Sequence, residues 1–234
     1  MTEMWTAMTT ALGLVVGLDA DLFEIVGRSL QVSVSALLLA CALGLPLGAL
    51  LALARFPGRN AIVVLANASM GLPPVVVGLV VYLVLSRSGP LGGLGWLFTV
   101  KAMVIAQWIL ITPIVVSLTR QTTEDLWDEY RELLTSLGAG PGRVVSTLLW
   151  DGRHRLMTTV LAGFGRAIGE VGAVIVVGGN IAHATRIMTT SIALETSKGD
   201  LERALALGLI LLAISITINA FAARVTARSA EVAG

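Results

Sequence analysis

Charge is scarce in this chain: Asp, Glu, Lys and Arg make up 13% of its 234 residues, and aromatic residues only 5%. With 56% apolar residues and a mean hydropathy of +0.87, that scarcity excludes an ordinary soluble domain. Cysteine is nearly absent. Cys41 is alone and sits within an apolar run, so it forms no intrachain disulfide and reads as a small packing residue. The net charge is +1 and no basic cluster is interleaved with aromatics, which removes nucleic acid as a partner. A Gly-x-x-x-x-Gly-Lys-Ser/Thr phosphate loop is missing, since the glycine-rich residues 138–143 lack the lysine and a preceding strand. There is no nucleophile elbow, HExxH or serine-lysine constellation, and neither His154 nor His183 has metal-ligand spacing around it. The chain is therefore expected to be no enzyme and to bind no cofactor or metal of its own.

Long apolar runs are what the chain does have. Residues 29–54, 61–86, 102–119 and 204–223 contain no Asp, Glu, Lys or Arg, and each is close to or above the roughly 20 residues a spanning helix needs. A fifth run, 156–181, is equally apolar but carries Arg166 and Glu170. The expected architecture is all-α, a polytopic membrane helix bundle of about five transmembrane helices at 29–54, 61–86, 100–119, 156–181 and 204–223. The bundle forms one domain over residues 21–224. Before it, residues 1–20 have no basic residue ahead of their apolar run and no cleavage signal, so an interfacial segment is expected there, with Trp5 near the headgroups. Residues 225–234 form a tail.

Of the connecting segments, only 120–155 is long and strongly polar. Placing it in the cytoplasm puts nine basic residues inside (Arg55, Arg59, Arg120, Arg131, Arg143, Arg153, Arg155, Arg224 and Arg228). Six remain outside (Arg28, Arg87, Lys101, Arg186, Lys198 and Arg203). The positive-inside rule favours this orientation, with the N-terminus outside and the C-terminus cytoplasmic. Prolines interrupt two spans, Pro73 and Pro74 in the second and Pro113 in the third. The carbonyls they free suit either a pathway lining or a kinked, tightly packed bundle.

The polar segment itself has helical order. Glu124, Asp125, Asp128, Glu129, Arg131 and Glu132 fall at helical spacings and lead into Leu133, Leu134 and Leu137, an amphipathic pattern. Its acidic run from Glu124 to Glu129 reads as a solvated face. Glycines 138, 140 and 142 around Pro141 then break the helix, and Pro141 is placed to open a second short helix over 142–149. The expected form is helix, sharp turn, helix.

In the fifth run, Arg166 and Glu170 are four residues apart, on one face of a continuous helix, where an ion pair lowers the cost of either charge. Gly165 and Gly169 on the same stripe allow another helix to approach. Arg166 is open to two roles, attracting an anion or forming a structural ion pair at a dimer interface. Beyond it, Asn180, Thr185, Arg186, Thr189 and Thr190 are expected in an outer loop, where their donors can meet an oxyanion or a protein that delivers one.

Glu132-Leu133-Leu134-Thr135-Ser136-Leu137-Gly138-Ala139 resembles the cytoplasmic EAA motif of permease subunits of ABC importers, with Leu133 and Leu134 in place of its two alanines and Trp150-Asp151 in place of a later Leu-Pro. Gly165-Arg166-Ala167-Ile168-Gly169-Glu170-Val171-Gly172-Ala173 resembles the oxyanion permeases for molybdate, tungstate and sulfate. Leu72-Pro73-Pro74-Val75-Val76-Val77-Gly78-Leu79 and Ala193-Leu194-Glu195-Thr196-Ser197-Lys198-Gly199-Asp200 are similar to the tungstate type. The likeness runs from about Arg28 to Arg224. It implies a type I importer permease whose coupling helix, with Glu132, Gly138, Ala139, Gly140 and Arg143, seats in a separate ABC ATPase that carries ATP and Mg. It also implies an extracytoplasmic oxyanion-binding protein and a prokaryotic plasma (inner) membrane. Five spans make a thin wall, so a homodimer with the route at its interface is expected. Pathway or interface candidates are Arg166, Glu170, Pro73, Pro74, Asn180, Arg186, Thr189 and Thr190. The alternatives are the same machine for molybdate or sulfate, or a secondary transporter driven by an ion gradient.

Overall fold

The computed structural model describes residues 20–233, together with positions 9, 10, 13 and 17. Trp5 and the interfacial segment expected around it lie outside the described residues. Among those described there are nine α-helices and no strand. In order they are α1 (Ala20–Leu53), α2 (Arg59–Ser69), α3 (Pro74–Leu85), α4 (Val100–Ser136), α5 (Pro141–Asp151), α6 (Arg153–Ile168), α7 (Gly172–Gly178), α8 (Met188–Lys198) and α9 (Leu201–Ala233). A single 3-10 turn, Gly92–Leu94, lies between α3 and α4.

Three of these helices are long and apolar enough to cross a membrane: α1, α4, and α9 over Leu201–Phe221. At 34 and 37 residues, α1 and α4 are about 50 Å and 55 Å long, well beyond a hydrocarbon core of about 30 Å. Two further bent pairs, α2 with α3 and α6 with α7, are apolar enough for a broken span or a re-entrant loop, which allows up to five spans. The chain is an all-α, polytopic membrane bundle.

The two breaks differ in cause. Between α2 and α3 the chain bends by 102° at residues 70–73. Pro74 is the first residue of α3, where its missing N–H leaves no bond unmade, and it forces Pro73 into extended backbone with ψ 121°. Between α6 and α7 the bend is 55° and no proline is present. Pro46 and Pro113 sit inside α1 and α4 without ending either helix.

The described chain divides into two compact units. The first comprises Met1–Ala36, Pro73–Gln107 and Ala167–Ile218. In it α3 packs on α7 so closely that a Cβ added to Gly78 would stand 2.9 Å from Ala173 Cα, which only glycine accommodates. Met103, Val174, Val177, Met188 and Leu207 are fully buried in the same unit. The second unit comprises Leu37–Leu72, Trp108–Arg166 and Asn219–Gly234. There the end of α1 lies against α4, with Gly44 and Gly48 one turn apart facing Val115 and Val116. Arg59 donates to Leu51 O at 2.8 Å and Ala52 O at 3.3 Å, carbonyls left open by the end of α1, and also pairs with Glu124, which Arg120 joins. Glu124, expected on a solvated acidic face, is instead the shared anion of two arginines.

Candidate functional site

The segment 120–155 is a helical hairpin. Helix α4 continues unbroken from the apolar run to Ser136, because no residue between Ile114 and Ser136 interrupts its hydrogen-bond ladder. It ends in a Schellman turn: Gly138 N donates to Thr135 O (3.0 Å) and Ala139 N to Leu134 O (3.0 Å), with Gly138 at φ +65°. The left-handed conformation explains why glycine stands there. Gly140 is extended, and Pro141 opens α5 as expected.

Leu126, Leu134, Val144 and Leu148 form a buried apolar cluster between α4 and α5, with Leu53, Trp127, Tyr130 and Ala139 packed on it. The carboxylate of Asp151, at the far end of α5, lies near Tyr130 of α4 and holds its phenol above the usual range. The hairpin is thus rigid, and its opposite face is open. Glu132, Gly138, Gly140 and Arg143 are exposed, as are Leu133, Leu137 and Trp150, the last two at 72% each. Arg153 lies over the Trp150 ring at 4.9 Å. Exposed Leu133 and Leu137 next to Glu132 on one side of a supported turn, with Arg143 on the other, are what a protein-docking surface offers.

The region around Glu170 is organised in the opposite way. Helix α6 stops at Ile168, so the single helix face expected to carry both Arg166 and Glu170 does not exist. Arg166 stays in the last turn of α6, where the helix dipole favours a cation. Glu170, 3% exposed, accepts a hydrogen bond from Ala173 N at 3.0 Å and so starts α7. That bond supports the first turn of α7 on the far side of the break. The freed carbonyls find donors: Gln107 Nε2 reaches Ala167 O (3.0 Å) and Thr189 Oγ1 reaches Glu170 O (2.8 Å). Gly165 and Gly169 are both exposed, and a Cβ on Gly165 would meet open space, so no helix of this chain packs on Gly165.

The residues expected in an outer loop are largely turned inward. Thr185, Thr189 and Thr190 are buried, and helix α8 already includes Thr189 and Thr190. The Thr185 hydroxyl donates to Gly178 O and accepts from Ile181 N (3.0 Å), while Asn180 Nδ2 donates to Thr190 O at 3.2 Å. Pro73 and Pro74 start α3 beside this region: Val75, one residue on, is 2.9 Å from a Cβ placed on Gly172. Two segments about a hundred residues apart, each singled out by its likeness to oxyanion permeases, are therefore packed on one another.

Gln107 and the Arg28–Glu24–His183 group escaped the sequence reading. Gln107 is the one side-chain amide in the run 102–119, a signal available without the structure. The second group needed the fold. Arg28 Nη2 donates to Glu24 Oε1 (2.8 Å) and His183 O (2.9 Å), and His183 Nδ1 meets Glu24 Oε2 at 2.8 Å. Ligand atoms of Asp21, Glu24 and His183 fall within 4.8 Å of one another, a spacing a metal could use. With Arg28 and His183 on its two oxygens, Glu24 instead reads as the centre of an ion-pair cluster.

The family described as the inner membrane component of binding-protein-dependent transport systems matches residues 44–230. This chain belongs to it. The permease is 40% identical over 210 residues to the tungstate uptake system permease protein TupB of Peptoclostridium acidaminophilum, covering 90% of this chain and 92% of that one. It is also 40% identical over 208 residues to a probable anion ABC transporter permease protein of Haloferax volcanii (87% and 90%). The molybdenum transport system permease protein ModB of Escherichia coli is more distant, at 30% over 210 residues (85% and 92%). The match covers both the hairpin and the Glu170 region, so the permease carries both within a single family domain.

Proposed function

We propose that this permease is the membrane subunit of an ABC importer for tungstate, forms the translocation pathway as a homodimer, and couples to a separate ATPase through the hairpin 120–155. The observation that carries the reading is 40% identity to a tungstate uptake permease over nearly the whole chain. Identity to a molybdate permease is lower over a similar share. The hairpin supports the coupling role, because its apolar cluster holds it rigid while Glu132, Gly138, Ala139, Gly140 and Arg143 stay at or near the surface. On this reading the hairpin and C-terminus are cytoplasmic, ATP and Mg reside on the ATPase, and an extracytoplasmic oxyanion-binding protein delivers cargo on the opposite side. The exposed Gly165 and Gly169, with Arg166 between them, suit the approach of a second copy. Closure of the ATPases would then move two rigid hairpins together and switch the access of the pathway.

The deciding experiment is ATP-dependent uptake of labelled tungstate in vesicles holding permease, ATPase and binding protein, with molybdate and sulfate as competitors. Tungstate is expected to be taken up and to resist competition. Glu132→Ala and Gly138→Asp are expected to lower uptake at least tenfold while the permease remains folded. Uptake unaffected by both would remove the coupling assignment, and uptake without ATPase would replace the mechanism with an ion-driven one.

A further inference from the structure

Helix α2 is held in the second unit by very little packing. None of its residues is buried, its N-cap Gly58 supplies no side-chain bond, and the chain leaves it through the 102° bend at residues 70–73. Among the described residues, Arg59 is the one whose side chain bonds from α2 to other helices. Its Nε donates to Leu51 O (2.8 Å) and its Nη2 to Ala52 O (3.3 Å), both at the end of α1, and Nη2 also pairs with Oε1 of Glu124 on α4. One guanidinium therefore joins three helices.

The other end of this link is the base of the hairpin. Glu124 stands two residues before Leu126, a member of the apolar cluster that holds α5 on α4. Arg120, one turn back on the same helix, takes Oε2 and so orients the carboxylate that meets Arg59. Leu53 of α1 touches the cluster, but beyond it the packing is open. A cavity of about 410 Å³ has Leu50, Leu53 and Ala54 on the side of α1 and Trp127, Pro141 and Val145 on the side of the hairpin. Groups facing a gap lose their mutual contacts and transmit little force, whereas the charged groups touch directly. An isolated exposed ion pair contributes little, but here the side chains of Arg59, Glu124 and Arg120 are only 24%, 33% and 12% exposed and act as a network.

We propose that Glu124 is a positioning residue for transport: through Arg59 it makes α2 and the end of α1 follow the hairpin when the ATPase moves it. This rests on the coupling role proposed above for the hairpin. Displacement at the turn around Gly138 is then carried to α2 and to the bend at which α2 ends. Arginine suits the joint, because its fork offers donors in fixed directions to two carbonyls and a carboxylate. Neutralising Glu124 leaves Arg59 and Arg120 without their shared anion, which opens the joint. Neutralising Arg59 is milder for α4, since Glu124 keeps Arg120.

The test uses proteoliposomes holding full-length permease, ATPase and binding protein, with ATP hydrolysis and anion uptake measured in one preparation. Labelled tungstate, molybdate and sulfate are each offered, so that a wrong cargo leaves the test intact. Glu124→Gln and Arg59→Gln are each expected to lower uptake per ATP hydrolysed at least tenfold, with hydrolysis and ATPase affinity within about twofold of wild type. The double variant is expected to be no worse than the worse single one, because both open the same joint; independent roles would multiply to about a hundredfold, and that product would overturn the proposal. Glu124→Asp keeps the charge and is expected to recover part of the loss. A purely structural role predicts a lower thermal midpoint, with assembly, hydrolysis and uptake declining together, and this result would also overturn the proposal. So would unchanged uptake per ATP in both single variants. Unaltered uptake in Glu132→Ala and Gly138→Asp, alongside uncoupling in Glu124→Gln and Arg59→Gln, would sink the assigned contact residues and uphold the joint.

Discussion

The hairpin 120–155 and the break around Glu170 both carry likenesses to known permeases, yet their side chains behave in opposite ways. At the break, Glu170, Gln107 and Thr189 are all buried and their polar atoms serve freed backbone groups. On the hairpin, Glu132, Leu137 and Trp150 are exposed, and the turn is held by the buried cluster beneath them. The break is consumed by its own fold, whereas the hairpin leaves chemistry free for a partner. Substitutions at the break should therefore register first as lost stability. On the hairpin they should register as lost coupling in a folded protein.

The most severe expected effect is at the α3–α7 contact. Gly78→Val places atoms against Ala173 backbone, which has no flexible end to move, and should destabilise by about 3 kcal/mol or more or abolish expression. Size-exclusion thermal unfolding of solubilised protein would read it, and a midpoint near wild type would undo the packing argument. Next comes Thr189→Val, which keeps shape but strips the donor from a buried carbonyl, at a cost of about 1–2 kcal/mol in the same assay. Gly138→Ala should cost about 1 kcal/mol, from the left-handed backbone alone, since nothing surrounds its Cβ position. The smallest change in stability is expected for Leu137→Ala, below about 0.5 kcal/mol, while affinity for the ATPase falls about tenfold. A large stability loss with unchanged ATPase binding would reverse the contrast between the two regions.

Much of this was legible in order along the chain. Spans showed as runs without charge, and the hairpin showed as periodic apolar residues followed by glycines 138, 140 and 142 around Pro141. Local rules suffice there, because a Schellman turn and a helix-opening proline depend on near neighbours. The same approach missed the helix break between Arg166 and Glu170. Four-residue spacing assumes a continuous helix, whereas α6 ends at Ile168 and the carbonyls beside the break are held by Gln107 and Thr189, 60 and 19 residues away. It failed also for Glu124, whose partner Arg59 is 65 residues distant, and for the threonines of the outer segment, where exposure was inferred from polarity.

The sequence alone determined that this protein lives in a membrane, which segments are apolar enough to cross it, and where a polar hairpin interrupts them, since hydrophobic length and helix termination are local properties. Only the tertiary structure decided which polar side chains are absorbed and which remain available. That choice depends on which donors and acceptors long-range packing brings within 3 Å of one another, as it does at Glu170 and does not at Glu132.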